Sequence, residues 1–497
     1  MFPDYLRATP DNLHVSVVKI TTGGTENTEM QRLRYSFSAA HGVNTVKHRS
    51  SPINLYYSIV LGLFPYFYQS TPIMRKNFLI SIILLLTLNL SAQKTYIWCG
   101  TLIDGISNEP KTNMTIVIEK NKILAVENGY STAGSNDKTI DLKTKTVTPG
   151  WIDCHVHLSH ETNPNGYIER FQLNDVDYAY RSVVYAKRTL MAGFTTVRDA
   201  GGGVVISLKK AINQGLIEGP RIVAAGTPIG STGSHGDPTN GYRGDLMGDP
   251  GPRIGVANGT DECIKAVRQR FKEGSDVIKI MATGGVLDVL ANGSGAEFTE
   301  DEIKAIVQTA NDYGLKVMAH AHGAEGIKRA LRGGVTSIEH GTFIDDECIE
   351  LFKKTGAWYV PTVIAGKSVA DSAKIPNYYP PVVAKKATEI GPKIQTTLTK
   401  AYKGGVKIAF GTDAGVYRHG MNWLEFTYMI EAGMKPMEAI KAATISAAEL
   451  LGMKDQVGSI EVGKLADVVA VDGDPLKDSK VFGKVVFVMK NGDVYKQ

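Results

Sequence analysis

The feature that most constrains this chain is an alternation. Between residues 148 and 455, short apolar runs recur at 152–158, 195–198, 221–225, 277–281, 316–321, 336–340, 358–363 and 406–411. Helical patterns intervene at 179–191, 299–313, 345–354 and 436–451, the second opening on the capping start Thr299-Glu-Asp-Glu. A strand–helix alternation implies parallel strands, because a parallel pair needs a crossover and an antiparallel pair does not. Eight such strands are the number at which a β/α barrel closes. The expected fold class is therefore α/β, with a (β/α)8 TIM barrel over 148–455.

Polar residues punctuate the ends of these runs. The first follows a Pro-Gly turn and reads Trp-Ile-Asp-Cys-His-Val-His-Leu158. Alternate residues of a strand share a face, so His155 and His157 point the same way and form a two-nitrogen metal site. Lys279 lies in Asp-Val-Ile-Lys-Ile-Met, His320 in Val-Met-Ala-His-Ala-His, His340 in Thr-Ser-Ile-Glu-His-Gly and Asp413 in Phe-Gly-Thr-Asp-Ala-Gly. Each stands at the C-terminal end of its run, where a barrel keeps its chemistry. His322 lies one strand period beyond His320 and shares its face.

This ordered set resembles the amidohydrolase superfamily of metal-dependent hydrolases, and within it the branch of imidazolonepropionase-like proteins and Xaa-Pro and related dipeptidases. The resemblance runs from about Lys94 to the C-terminus. It implies two divalent cations, zinc being the expected metal. His155, His157 and Asp413 would hold one ion and His320 and His340 the other, with Lys279 as a carboxylated, bridging ligand. The reaction implied is amide hydrolysis by a metal-bridging hydroxide. Asp413 would carry the proton to the leaving amine, and His322 would contact the substrate or its oxyanion. Asp153, Arg198 and Asp199 are expected to support the ligands. Glu339, which precedes His340 on the same strand, is expected to face away from it.

Three glycine-rich stretches after barrel strands, 226–259, 283–297 and 364–381, are expected as loops walling the pocket. They supply the substrate-binding candidates His235, Tyr242, Arg243, Gly284 and Gly285, with the Arg-Tyr pair suited to a free carboxylate.

Short strands also flank the barrel. Those at 93–147 and 456–497, the latter with an Asn491-Gly492 turn, can form one sheet domain, and the resemblance implies a small β-sandwich built from both chain ends. Before them, Met74-Arg-Lys, an apolar run to Leu90 and Ser-Ala-Gln form a secretory signal, 74–92, cut after Ala92. Residues 1–73 read as an over-extended, unstructured start. The expected location is secreted or periplasmic, with no stable membrane span in the mature protein, since the run is shorter than the ~20 residues of a span.

A net charge of +5 over 497 residues, with no basic stripe, gives no support for a nucleic-acid partner. Cys99, Cys154, Cys263 and Cys348 form no C-x-x-C pair, so no cysteine metal site or disulfide scaffold is indicated. The expected partner is a small-molecule substrate such as a dipeptide or N-acyl amino acid; a homo-oligomer is left open. The alternatives are a mononuclear cyclic-amide hydrolase of imidazolonepropionase type, and a non-catalytic binding protein on the same fold.

Overall fold

The computed structural model describes residues 93–290 and 293–497. The expected extension at 1–73 and signal peptide at 74–92 lie outside the described residues. No helix among the described residues is long and apolar enough to cross a membrane.

Four strands come first: β1 (Lys94–Leu102), β2 (Lys111–Glu119), β3 (Lys122–Asn128) and β4 (Lys138–Pro149). Eight strands then alternate with helices: β5 (Trp151–Val156), β6 (Phe194–Asp199), β7 (Arg221–Ala224), β8 (Val277–Met281), β9 (Lys316–Ala321), β10 (Ser337–His340), β11 (Trp358–Val360) and β12 (Lys407–Ile408). The chain ends on β13 (Val468–Val471), β14 (Val485–Lys490) and β15 (Asp493–Lys496).

Strands of both chain ends share one seven-stranded sheet, ordered β15-β14-β13-β4-β1-β2-β3. The Asn491-Gly492 turn joins β14 to β15 with both residues at positive φ, 52° and 82°, as a tight hairpin requires. The far edge of the sheet curls back on itself. Ile123 N donates to Lys464 O at 2.9 Å and Ala466 N to Asn121 O at 2.9 Å, just ahead of β13. The curl encloses its own apolar core, including Ile97, Ile116, Leu142, Val468 and Phe487.

All neighbours among β5 to β12 are parallel, in one sheet β5-β6-β7 and another β12-β11-β10-β9-β8. Isolated parallel bridges Ile229–Ile280 and Val156–Ala414 lie at the two seams between them. Every residue of β5, β6, β8 and β10 is buried. This explains why they read as continuous apolar runs rather than alternating ones: helices cover the outer face and the inner face is closed as well.

Two helical expectations change. The pattern at 436–451 is broken into Pro436–Ala442 and Ile445–Leu451 at Thr444, whose hydroxyl donates back to Ile440 O at 2.7 Å. The stretch 364–381, expected as a loop, is largely the helix Val363–Ser372. Its first two amides donate to Glu425, at 2.9 Å from Val363 N and 2.7 Å from Ile364 N. That carboxylate satisfies the orphan donors of the first turn from 62 residues away, a cap no local pattern could reveal.

Candidate active site

The eight parallel strands carry their polar residues at their C-terminal ends, and these converge. His155, His157, Lys279, His320, His322, His340 and Asp413 all line one cavity of about 540 Å³. His155 lies within β5 and Lys279 within β8; His340 ends β10, and Asp413 follows β12. Two of them leave ordinary strand geometry. His340 has φ 69° and Asp413 φ 58°, left-handed values that residues with a Cβ rarely adopt. Asp413 N donates to His155 O at 2.7 Å, which fixes the turn against the first strand.

His155, His157 and Asp413 place their ligand atoms within 4.8 Å of one another, a spacing that suits one metal ion. Asp413 Oδ1 is 3.2 Å from His157 Nε2 and 3.5 Å from His155 Nε2. The remote nitrogens are tied down: His155 Nδ1 to Glu339 at 2.8 Å and His157 Nδ1 to Gly201 O at 2.9 Å. Each ring therefore presents Nε2 inward, the orientation that a hydrogen bond at the other ring nitrogen gives metal-ligating histidines.

His320 and His340 lie beside them, ring centroids 4.7 Å apart, with His340 4.9 Å from His155. His340 Nδ1 meets the Thr362 hydroxyl at 2.8 Å and so offers Nε2. His320 is held the other way round, by Nε2 against Gly284 O at 3.2 Å, which leaves Nδ1 free. Lys279 Nζ is 3.5 Å from His155 Nε2. The donor set around these positions is made of imidazoles, one carboxylate and one amine, a set suited to borderline divalent ions.

The electrostatics prepare neutral nitrogen ligands. Burial, then the nearby Lys279 charge, hold His155 well below the usual histidine range. Burial and the neighbouring imidazoles do the same for His320 and His340. His157 goes the other way: burial opposes its charge, but the Asp413 hydrogen bond and charge together outweigh burial and raise it. Burial also disfavours the Asp413 anion, yet His155, His157 and Lys279 together lower its pKa. Burial draws Lys279 down from the usual amine range to about 8, against the opposing pull of Glu339 and Asp413.

One expectation about this shell is overturned. Glu339 was expected to face away from His340; it is fully buried and turned inward, gripping His155 Nδ1. The left-handed φ of His340 breaks the strand alternation, so consecutive residues reach the same interior. Behind Glu339, Arg198 donates to its Oε1 at 2.9 Å and to Cys154 O at 2.6 Å. Asp153 accepts from Thr412, Asn422 and His155 N, and Asp199 from Leu158 N and Gly201 N. These contacts brace the backbone around His155 and His157. Cys154 is a buried free thiol.

The substrate candidates divide. His235 lines the cavity with its Nδ1 on Asp288 at 2.8 Å and its ring 4.6 Å from that of His320. Gly285 makes room for it, since a Cβ there would stand 2.3 Å from the imidazole, and Gly284 acts through its carbonyl on His320. Tyr242 and Arg243 do not line the cavity: Arg243 points to solvent and pairs with Asp245, and Tyr242 packs on Phe171. The guanidinium that does line it is Arg170, on the helix Gly166–Gln172 and 5.2 Å above the Tyr167 ring. Among the lining acids, Glu161 faces Arg188 and Glu169 faces Arg181, whereas Arg170 has no ion-pair partner among the described residues. Arg170 carried no sequence signal, because that helix had none. The lining also has an apolar part, with Val286, Leu287, Val369, Ile390 and Ile394.

The comparisons with known proteins agree with this geometry. The model of the amidohydrolase family matches residues 146–495. The chain is 34% identical over 430 residues to ochratoxinase of Aspergillus niger, covering 82% of this chain and 87% of that enzyme. It is 28% identical over 403 residues to imidazolonepropionase of Fusobacterium nucleatum subsp. nucleatum, covering 73% and 86%. A crystal structure of a Xaa-Pro dipeptidase with bound methionine in the active site superposes with a TM-score of 0.80 at 48% identity, over 82% of this chain and 100% of that one. Since the matched model spans most of the chain and includes every strand end described above, this chain belongs to the amidohydrolase family.

Proposed function

We propose that this hydrolase is an exported binuclear zinc enzyme that cleaves the amide bond of a small substrate carrying a free carboxylate, a dipeptide or an N-acyl amino acid. The observation that carries the reading is the convergence of four histidines, one carboxylate and a buried lysine at the strand ends of one cavity. In this reading the two parallel sheets and their seam bridges make a (β/α)8 barrel over 148–455, and the curled sheet is the small β-sandwich built from 93–147 and 456–497. His155, His157 and Asp413 would hold one ion and His320 and His340 the second, with a carboxylated Lys279 as a further, shared ligand. Ions held there supply an acidified water and a Lewis acid for the carbonyl.

The chain's own groups do the rest. Asp413, ionised because its pKa is lowered, accepts a proton on the carboxylate oxygen turned away from His155 and His157 and returns it to the leaving nitrogen. His322 is kept neutral, burial pulling it to about 3, and its Nδ1 is tied to the Thr342 hydroxyl at 2.8 Å. Its other nitrogen is left to donate to the developing oxyanion. Arg170, at the rim, takes the substrate carboxylate in the place expected of Arg243. A library of dipeptides and N-acyl amino acids offered to the zinc-loaded enzyme tests the reading. Chelator-sensitive turnover of several members supports it; no turnover, or one ion per chain at full activity, overturns it. The export reading predicts a mature chain beginning at Gln93, read by N-terminal sequencing; an intact Met74 would contradict it.

Arg170→Gln is expected to raise KM about tenfold for a substrate with a free carboxylate, with kcat nearly unchanged. A charge-assisted hydrogen bond at a partly exposed site is worth about 1.5 kcal/mol. The amidated substrate is expected to respond less than about twofold; equal effects on both would remove the anchor role.

Lys279 sets a pH dependence. Only the neutral amine can attack carbon dioxide, forming the N–C bond and losing a proton from nitrogen. With a pKa of about 8, roughly one amine in a hundred is neutral at pH 6 and about half at pH 8. Activation of metal-free enzyme by zinc, with dissolved carbon dioxide held at one concentration, is therefore expected to be faster at pH 8 than at pH 6. Lys279→Ala is expected to lose activity and bind zinc weakly, with partial recovery on adding short carboxylates. Reconstitution of wild type at equal rates across that range would end the carbamate assignment.

A further inference from the structure

Away from the active cavity, a second cleft of about 350 Å³ lies between the end of the helix Asp175–Met191, the segment 418–423 and the C-terminal sheet. Its composition is one-sided. Arg188, Arg418 and Lys496 line it, and among the described residues no aspartate or glutamate does. Its remaining walls include Met191, Trp423 and Phe482. Gly483 keeps this wall open: a Cβ there would stand 2.8 Å from the Trp423 ring.

Two of the three cations are partly engaged. Arg188 reaches Glu161 at 3.4 Å, and Lys496 Nζ donates to Met191 O at 3.2 Å. Arg418 is exposed and has no ion-pair partner among the described residues. The cleft also shares a wall with the active cavity. His419 lines the cleft, is 2% exposed, and donates its backbone N–H to Glu161, a residue of the cavity lining. Its Nδ1 has no hydrogen-bond partner among the described residues.

We propose that this cleft binds a small organic anion with an apolar body, its carboxylate on Arg418 and Arg188 and its chain along Trp423 and Met191. An apolar surface with a few cationic groups beside it is the usual make-up of a site for such a ligand. A guanidinium fork suits a carboxylate, and the methylene stems of Arg and Lys extend the apolar surface. The proposal is independent of the substrate assigned to the active cavity.

Octanoate titrated into the full-length protein by calorimetry tests it. We expect a site that Arg418→Gln weakens at least tenfold, that octanamide fills at least tenfold less tightly, and that survives in a His155→Ala background. Octanoate binding unchanged by Arg418→Gln would overturn the proposal, as would a site lost with His155→Ala, which would place the ligand in the active cavity instead. Binding of octanamide as tight as octanoate would overturn the role given to the cations.

Discussion

His155→Ala is expected to lower hydrolysis at least about a thousandfold and to reduce bound metal while leaving the fold in place. A metal-activated water and a polarised carbonyl are worth several kcal/mol of barrier, and about 4 kcal/mol is a thousandfold in rate. The fold should survive because the partner left behind, Glu339, keeps Arg198 at 2.9 Å and the Ser337 hydroxyl at 2.5 Å. Metal content per chain and circular dichroism separate the two effects. Normal turnover with His155 removed would mean that the cavity at the strand ends is not the reaction site.

Arg198→Met is expected to be the most damaging change to stability. Arg198 is 1% exposed and Glu339 0%, so the substitution strands a buried carboxylate beside one imidazole and one hydroxyl. Breaking a buried pair by removing one member costs about 3–5 kcal/mol, because the remaining charge has lost both water and partner. Removing both charges in Arg198→Met/Glu339→Leu is expected to cost less than the sum of the single changes by at least about 1 kcal/mol. Urea midpoints of the three variants measure this. A loss below about 1 kcal/mol for Arg198→Met alone would show that the pair orients His155 without holding the interior together.

Glu339 also marks where sequence reading reached its limit. The histidines proposed as ligands were legible because each ends an apolar run, and the period of a strand fixes which residues share its face. Lys279 was legible for the same reason, on an all-buried strand whose bounds the pattern matched to the residue. Glu339 was misread by that same rule. The alternation holds only while φ stays in the β region, and His340 departs from it at 69°. A local backbone exception of this kind leaves no trace in hydrophobic pattern.

The helix at Val363–Ser372 failed for a different reason. Its interior is ordinary, but the cap comes from Glu425, whose carboxylate burial raises to about 8 even as it accepts two amide protons. Arg243 and Arg170 make a matching contrast, one arginine in an expected loop that points to solvent and one on an unexpected helix that faces the cavity.

By itself, then, the sequence determined the strand–helix alternation and the order of the polar residues at the strand ends, because periodicity and short-range turn chemistry are written in neighbouring residues. The tertiary structure alone decided which acid orients His155, which cation faces the substrate cavity and where helix 363–372 begins. Those choices depend on groups brought together across 62 residues for the Glu425 cap and 184 for the Glu339–His155 contact, and a burial cost exists only once the partners have met.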